Sequence, residues 1–176
     1  MRLFLGLAAD QLAGQLSARQ DELAPPPGGR LVPAEMWHLT LGFFGEVPPV
    51  AAVAIQERAA EYAQGQQTLE ISFQRVGAIG HRPPIRVWAL CSDSSVAKAA
   101  VHRAQQVFRP WLSEREATRP PLVHLTLARG EWSRQPPGRP LRPPISLRAG
   151  AVVLYQSHLR PEGVHYERLA TFLLAD

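Results

Sequence analysis

One tetrapeptide, His-Leu-Thr-Leu, occurs twice, at residues 38–41 and 124–127. Side chains alternate along a strand, so His38 and Thr40 point one way while Leu39 and Leu41 point the other. The same alternation separates His124 and Thr126 from Leu125 and Leu127. The leucines suit a core, whereas a strand face of imidazole and hydroxyl needs a reason. Brought together, two such faces would suit hydrolysis or transfer at a phosphodiester. One imidazole, neutral, takes a proton from water while the other, protonated, gives one to the leaving oxygen. Both tasks need a group titrating near neutrality, as unperturbed histidine does. Each proton transfer is typically worth roughly 10²–10⁴-fold in rate. The threonine hydroxyls can donate to the non-bridging phosphate oxygens, where charge builds during attack. The near-symmetry of the two segments does not say which histidine is the acid.

Paired histidines also serve metals, but usually with a carboxylate or cysteine ligand at close spacing. Neither segment contains one, and the next acidic residues, Glu46 and Glu131, lie beyond the expected strands. No metal and no other cofactor is therefore expected. Cys91, the single cysteine, falls in an apolar segment and reads as structural rather than nucleophilic.

The elements that must position these residues follow from patterning. Residues 2–8 read as a buried strand, and Asp10 as the cap of a helix over 11–24 with Leu12, Leu16 and Leu23 on one face. The cluster Pro25-Pro26-Pro27-Gly28-Gly29 ends that helix. A strand follows at 36–44, then a helix at 50–64, strands at 68–77 and 85–92, and a helix at 95–109 capped by Asp93 or Ser94. The second HLTL strand covers 122–128. The Pro/Arg-rich stretch 129–144 reads as an exposed loop, and strands at 145–157 and 164–174 close the chain.

The chain also repeats itself. Residues 2–10, RLFLGLAAD, align without gaps to residues 86–94, RVWALCSDS, and each copy leads through a helix and a Pro-rich loop to HLTL. His38 lies 36 positions after Arg2, and His124 lies 38 after Arg86. A βαβ unit used twice predicts two similar lobes related by an approximate two-fold axis, with equivalent residues meeting in one cleft.

Composition sets outer bounds. The 176 residues suffice for one domain with a real core, and 45% apolar content argues against disorder. No run approaches the ~20 apolar residues of a membrane span, and MRLFLGLAAD reaches an acidic residue too early for a secretory signal. The lone cysteine suits a reducing cytoplasm. Eighteen arginines and one lysine, Lys98, give a net charge of +4. That charge suits a polyanionic partner, although arginine abundance beside many Ala and Pro residues is equally the mark of codon bias.

These residues closely resemble the two-histidine phosphoesterases, whose signature is one His-x-Thr/Ser-x motif per lobe. The nearer branch is the RNA 2',3'-cyclic phosphodiesterases, historically called 2'-5' RNA ligases. RLFLGLA, HLTLGFFGEV, PPIRVWAL, HLTLAR and VVLYQS...GVHYERLATFLL carry the likeness along almost the whole chain. It implies an α+β, bilobal fold: two antiparallel β-sheets facing a central cleft, helices outside, and two interleaved lobes within one 1–176 domain. It implies hydrolysis of a 2',3'-cyclic phosphate to a 2'-phosphate, with His38 as proton donor and His124 as proton acceptor. Thr40 and Thr126 carry over as phosphate binders. The partner implied is RNA with cyclic-phosphate ends, or small nucleotides, handled by a monomer away from membranes. Val123 stands where relatives often have proline. Arg129 matches the arginine that commonly ends the second motif, but simple alternation points it away from His124 unless the strand bulges there. It stands equally as a substrate ligand and as a structural salt bridge.

His81, His102, His158 and His165 lack the motif context and read as surface or loop residues. Phe44 shares the His38 face, where it could stack on a base, and is assigned to the core, as are Trp37 and Phe43 on the leucine face. Arg129, Arg134, Arg139, Arg142 and Arg148 face only Glu131 over 129–148, either gripping an RNA backbone or merely solvated. Alternatives within the same chemistry are 2'-5' linked oligonucleotides, small cyclic nucleotides or weak reverse ligation. A non-catalytic RNA-binding module is the alternative from another class, and its expected mark, loss of a motif histidine, is missing here.

Overall fold

Strand β1 (Arg2–Ala8) buries every residue between its ends. The computed structural model, which describes residues 1–118, 120, 122–161 and 163–176, continues through the short helices α1 (Ala13–Ala18) and α2 (Gln20–Leu23) to β2 (Arg30–Leu31) and β3 (His38–Glu46). Helix α3 (Pro49–Gln64), strands β4 (Leu69–Ile79) and β5 (Ile85–Cys91), and helix α4 (Ser95–Phe108) follow. The chain ends with α5 (Glu114–Ala117), β6 (His124–Trp132), β7 (Arg139–Ala149), β8 (Ala151–Arg160) and β9 (Gly163–Leu173).

The fold is α+β, built on a large antiparallel sheet ordered β7-β4-β5-β6-β3-β1-β8-β9, with β2 added to β6. The two expected sheets are its halves, β7-β4-β5-β6 and β3-β1-β8-β9. They join at the pair Leu39–Leu125, between the two HLTL strands. Leu39, Leu41, Leu125 and Leu127 enter one core with Ile55 and Ala59 of α3 and Ala104 and Phe108 of α4. Each such leucine stabilises the fold by roughly 1.5–3 kcal/mol. Ser94 caps α4, its Oγ accepting from Ala97 N.

Four sequence expectations need correction. The helix over 11–24 is a 3₁₀ turn at Asp10–Leu12 followed by two short helices that break at Arg19. Arg19 donates to Pro143 O at 2.6 Å and ties this segment to β7, while Leu12, Leu16 and Leu23 are buried as the pattern requires. Asp10 caps nothing and pairs with Arg168 at 3.0 Å. The stretch 129–144 is not a loop. Strand β6 runs to Trp132 and β7 begins at Arg139. Edge position lets β7 carry Pro140, Pro143 and Pro144, and its inward residues Leu141, Ile145 and Leu147 are buried. The strand over 145–157 is likewise divided, at Gly150, between β7 and β8.

The fourth correction concerns the repeat. Ala8 pairs with His38 and Gly6 with Thr40, as Cys91 pairs with His124 and Ala89 with Thr126. Position 6 thus corresponds to 89 and not to 90. The gapless alignment on Arg2 and Arg86 is one residue out of step, which on a strand exchanges the faces. The pairing follows the core side chains, and a shared arginine at the strand start has no say in it.

Candidate active site

Continuing the register from Leu39–Leu125 sets His38 across from Thr126 and Thr40 across from His124. All four line one cleft of about 350 Å³. The polar faces thus meet as the alternation predicts, with the leucines on the opposite side.

Each HLTL segment then carries a β-bulge at the same place. Against β1, Leu5 pairs with Gly42 and Gly6 with Thr40, leaving Leu41 as an extra residue. Against β5, Trp88 pairs with Ala128 and Ala89 with Thr126, leaving Leu127 extra. A bulge places two successive residues inward and reverses the alternation beyond it. Leu41 and Gly42 are both buried, as are Leu127 and Ala128. The third residue after each threonine therefore turns into the cleft: Phe43 in one copy and Arg129 in the other. This corrects the assignment of Phe43 to the core; the Arg2 guanidinium lies 5.1 Å from its ring centroid. Phe44 turns inward and is core, and Trp37 packs against the core with its Nε1 donating to Val32 O at 2.9 Å. Arg129 has no ion pair among the described residues.

The two imidazoles are held alike. His38 Nδ1 lies 2.8 Å from Met36 O, and His124 Nδ1 lies 3.2 Å from Leu122 O. A carbonyl only accepts, so each Nδ1 carries the hydrogen and each Nε2 is the nitrogen that can exchange protons. His38 sits in an aromatic box that sequence reasoning missed. Its ring centroid is 4.7 Å from Phe4, 5.1 Å from Tyr166 and 5.6 Å from Tyr155. Gly6 permits this approach, because a Cβ there would stand 3.0 Å from Leu39 O and 3.5 Å from His38 Cδ2. No local signal in the sequence marks the box; it depends on β8 and β9 lying beside β1.

Burial among these rings pushes the His38 pKa down to about 4, with His124 and Arg129 adding smaller like-charge effects and the Met36 carbonyl opposing them. The same burial pushes Tyr155 up to about 12. Cys91 is buried and its thiol is pushed up by desolvation, as befits a structural cysteine. Arg2 and Arg129 face only Glu116 among the charged cleft residues described, a balance that suits an anion. His81, His102, His158 and His165 lie outside the cleft, and His158 pairs with Glu167 at 2.8 Å. Among the described residues no cluster of three or more His, Cys, Asp or Glu could hold a metal ion, and no helix is long and apolar enough to cross a membrane.

Residues 5–89 match the family model of LigT like phosphoesterases. No curated protein sequence matches the chain. Among solved structures, TT0787 of Thermus thermophilus is 22% identical over 99% of this chain and 98% of its own, with a TM-score of 0.79. Escherichia coli LigT complexed with NADP+ is 24% identical over 99% and 98%, with a TM-score of 0.78. LigT complexed with 3'-AMP is 21% identical over the same shares, also with a TM-score of 0.78. At these identities the structures speak for the fold. Residues 5–89, which hold the first of the two HLTL strands, are thus similar to the LigT like phosphoesterases, and the whole chain shares the fold of the solved LigT structures.

Proposed function

We propose that this protein hydrolyses 2',3'-cyclic phosphodiester ends of RNA to 2'-phosphates without a metal. The observation carrying this reading is the matched pair of imidazoles, each with Nδ1 tied to a carbonyl and each set across from the other motif's threonine. His124 Nε2 takes a proton from water, and the water oxygen bonds to phosphorus. The P–O3' bond breaks, and His38 Nε2–H protonates the departing 3' oxygen. Thr40 and Thr126 donate to the non-bridging oxygens, and Arg129, three residues farther along β6, binds the substrate where the cleft continues. That E. coli LigT binds NADP+ and 3'-AMP supports a nucleotide occupant, and the cleft volume lies in the usual range for small ligands.

The decisive assay incubates the protein, with EDTA present, with RNA ending in a 2',3'-cyclic phosphate and resolves 2'- from 3'-phosphate. We expect the 2'-phosphate at an unchanged rate with or without chelator. A 3'-phosphate product contradicts expulsion of the 3' oxygen, and EDTA inhibition reversed by added divalent ion contradicts metal independence. Parallel turnover of 2'-5' linked and small cyclic nucleotides ranks the other substrates of the same chemistry.

A donor that rests neutral must gain its proton with the substrate. The phosphate's negative charge beside His38 favours the imidazolium and offsets its desolvation. Binding of a 2'-phosphate product at pH 7 is therefore expected to take up close to one proton, roughly the full charge of one histidine. Calorimetry in buffers of different ionisation enthalpy reads this directly. Binding without uptake reverses the roles, leaving His38 as the base.

A further inference from the structure

Beyond the catalytic pair, the cleft continues past Arg129 into a second hollow of about 260 Å³, which His38 and Thr126 also line, and then into an open groove of about 530 Å³. Arg30 of β2 lines both extensions with Arg129. These two arginines are direct register partners across the β2–β6 ladder, so their side chains leave the same face side by side. Like charges directly opposed on a sheet are destabilising. Neither has an ion pair among the described residues, whereas Arg86 in the same groove pairs with Glu131 at 3.3 Å.

The position of Arg30 is nevertheless closely fixed. Val32 N donates to Leu127 O at 2.8 Å. Trp132 Nε1 donates to Pro27 O at 3.0 Å. Gly29 is wedged so that a Cβ would lie 2.8 Å from Pro25 Cβ and 3.1 Å from Trp132 Cζ2. A short, closely tied strand that holds Arg30 against Arg129 of its neighbour β6 is arranged for an anion between the two cations.

We infer that Arg30 and Arg129 form a second phosphate subsite that takes the internucleotide phosphate on the 5' side of the terminal cyclic nucleotide. Arg129 lies three residues beyond Thr126, on the order of 10 Å along the strand, the reach of a nucleotide from the reacting phosphate. This rests on the cyclic phosphodiesterase reading and adds to it a substrate class: oligonucleotide ends in preference to single cyclic nucleotides. Guanidinium bonds to phosphate are charge-assisted and suit this task.

The test compares kcat/KM for a dinucleotide ending in a 2',3'-cyclic phosphate with the same compound carrying a neutral methylphosphonate linkage, and with a nucleoside 2',3'-cyclic phosphate. The natural linkage is expected to be favoured about tenfold, and Arg30→Gln to erase that preference. Equal rates for the two dinucleotides, or a preference that survives in R30Q, overturns the subsite while leaving the hydrolysis intact. Failure to turn over any of the three overturns the reaction itself, and the subsite is then decided by binding. Affinity for a 2'-phosphate-ended dinucleotide, followed against salt, is expected to fall less steeply in R30Q, by about 0.7 in log–log slope for one lost phosphate contact. An unchanged slope overturns the subsite. Ligand-free R30Q is also expected to melt about 1–3 °C higher through relief of the opposed charges; a lower melting temperature marks Arg30 as structural and overturns the inference.

Discussion

Alanine at His38 or at His124 is expected to lower kcat for cyclic-phosphate hydrolysis by roughly 10²–10⁴-fold, with cooperative unfolding retained at pH 7. Each change removes one proton transfer. Both leave the leucines of the main core in place on the other face, and H38A gives up only the ring's packing on Phe4, Tyr155 and Tyr166. The two losses are not expected to add in full, since a site lacking one transfer gains less from the other. The roles separate on a second substrate. With an aryl phosphodiester, whose phenolate leaves without a proton, the H38A defect should shrink to within about tenfold of wild type while the H124A defect persists. If both variants recover alike, His38 is not the acid. If either variant keeps full activity on the cyclic substrate, that histidine is no part of the chemistry.

Acid is expected to weaken the fold through His38. Its folded-state pKa of about 4 lies below the ordinary 6.5. Between those values the unfolded chain binds a proton that the folded chain does not, so stability rises with pH across the window and is flat above it. Acidification from pH 7 to pH 4 therefore costs the folded state about 3 kcal/mol from this residue, or roughly 6–12 °C in Tm for a chain of this size. Other groups titrate as well, so the readout is the difference between wild type and H38A melting curves at several pH values. The wild type should lose ground to H38A steadily below pH 6.5. Parallel curves would show that the aromatic box does not hold His38 neutral. The same box that would require a proton to arrive with the phosphate is thus expected to make the free protein acid-sensitive.

What the sequence determined by itself is what local alternation and capping can carry. Two polar faces with leucines behind them follow from the two-residue period of a strand, wherever that strand is placed. Helices α3 and α4 follow from their composition and, for α4, from Ser94 at its start. The resemblance to the two-histidine phosphoesterases was legible because its motif is local and occurs twice. The tertiary structure decided everything that depends on a neighbouring strand. A bulge is a property of a pair, and only the pairing of β3 with β1 and of β6 with β5 shows that Leu41 and Leu127 are extra residues. Phe43 and Arg129 enter the cleft for that reason and no local one. Strand β7 forms despite its prolines because β4 pairs it on one side and leaves the other free. The aromatic box and the opposed arginines draw on residues separated by tens to more than a hundred positions, Phe4 with Tyr155 and Arg30 with Arg129. Charge and desolvation act through space, so His38 becomes a half-buried, neutral imidazole at rest only once β8 and β9 have folded beside β1.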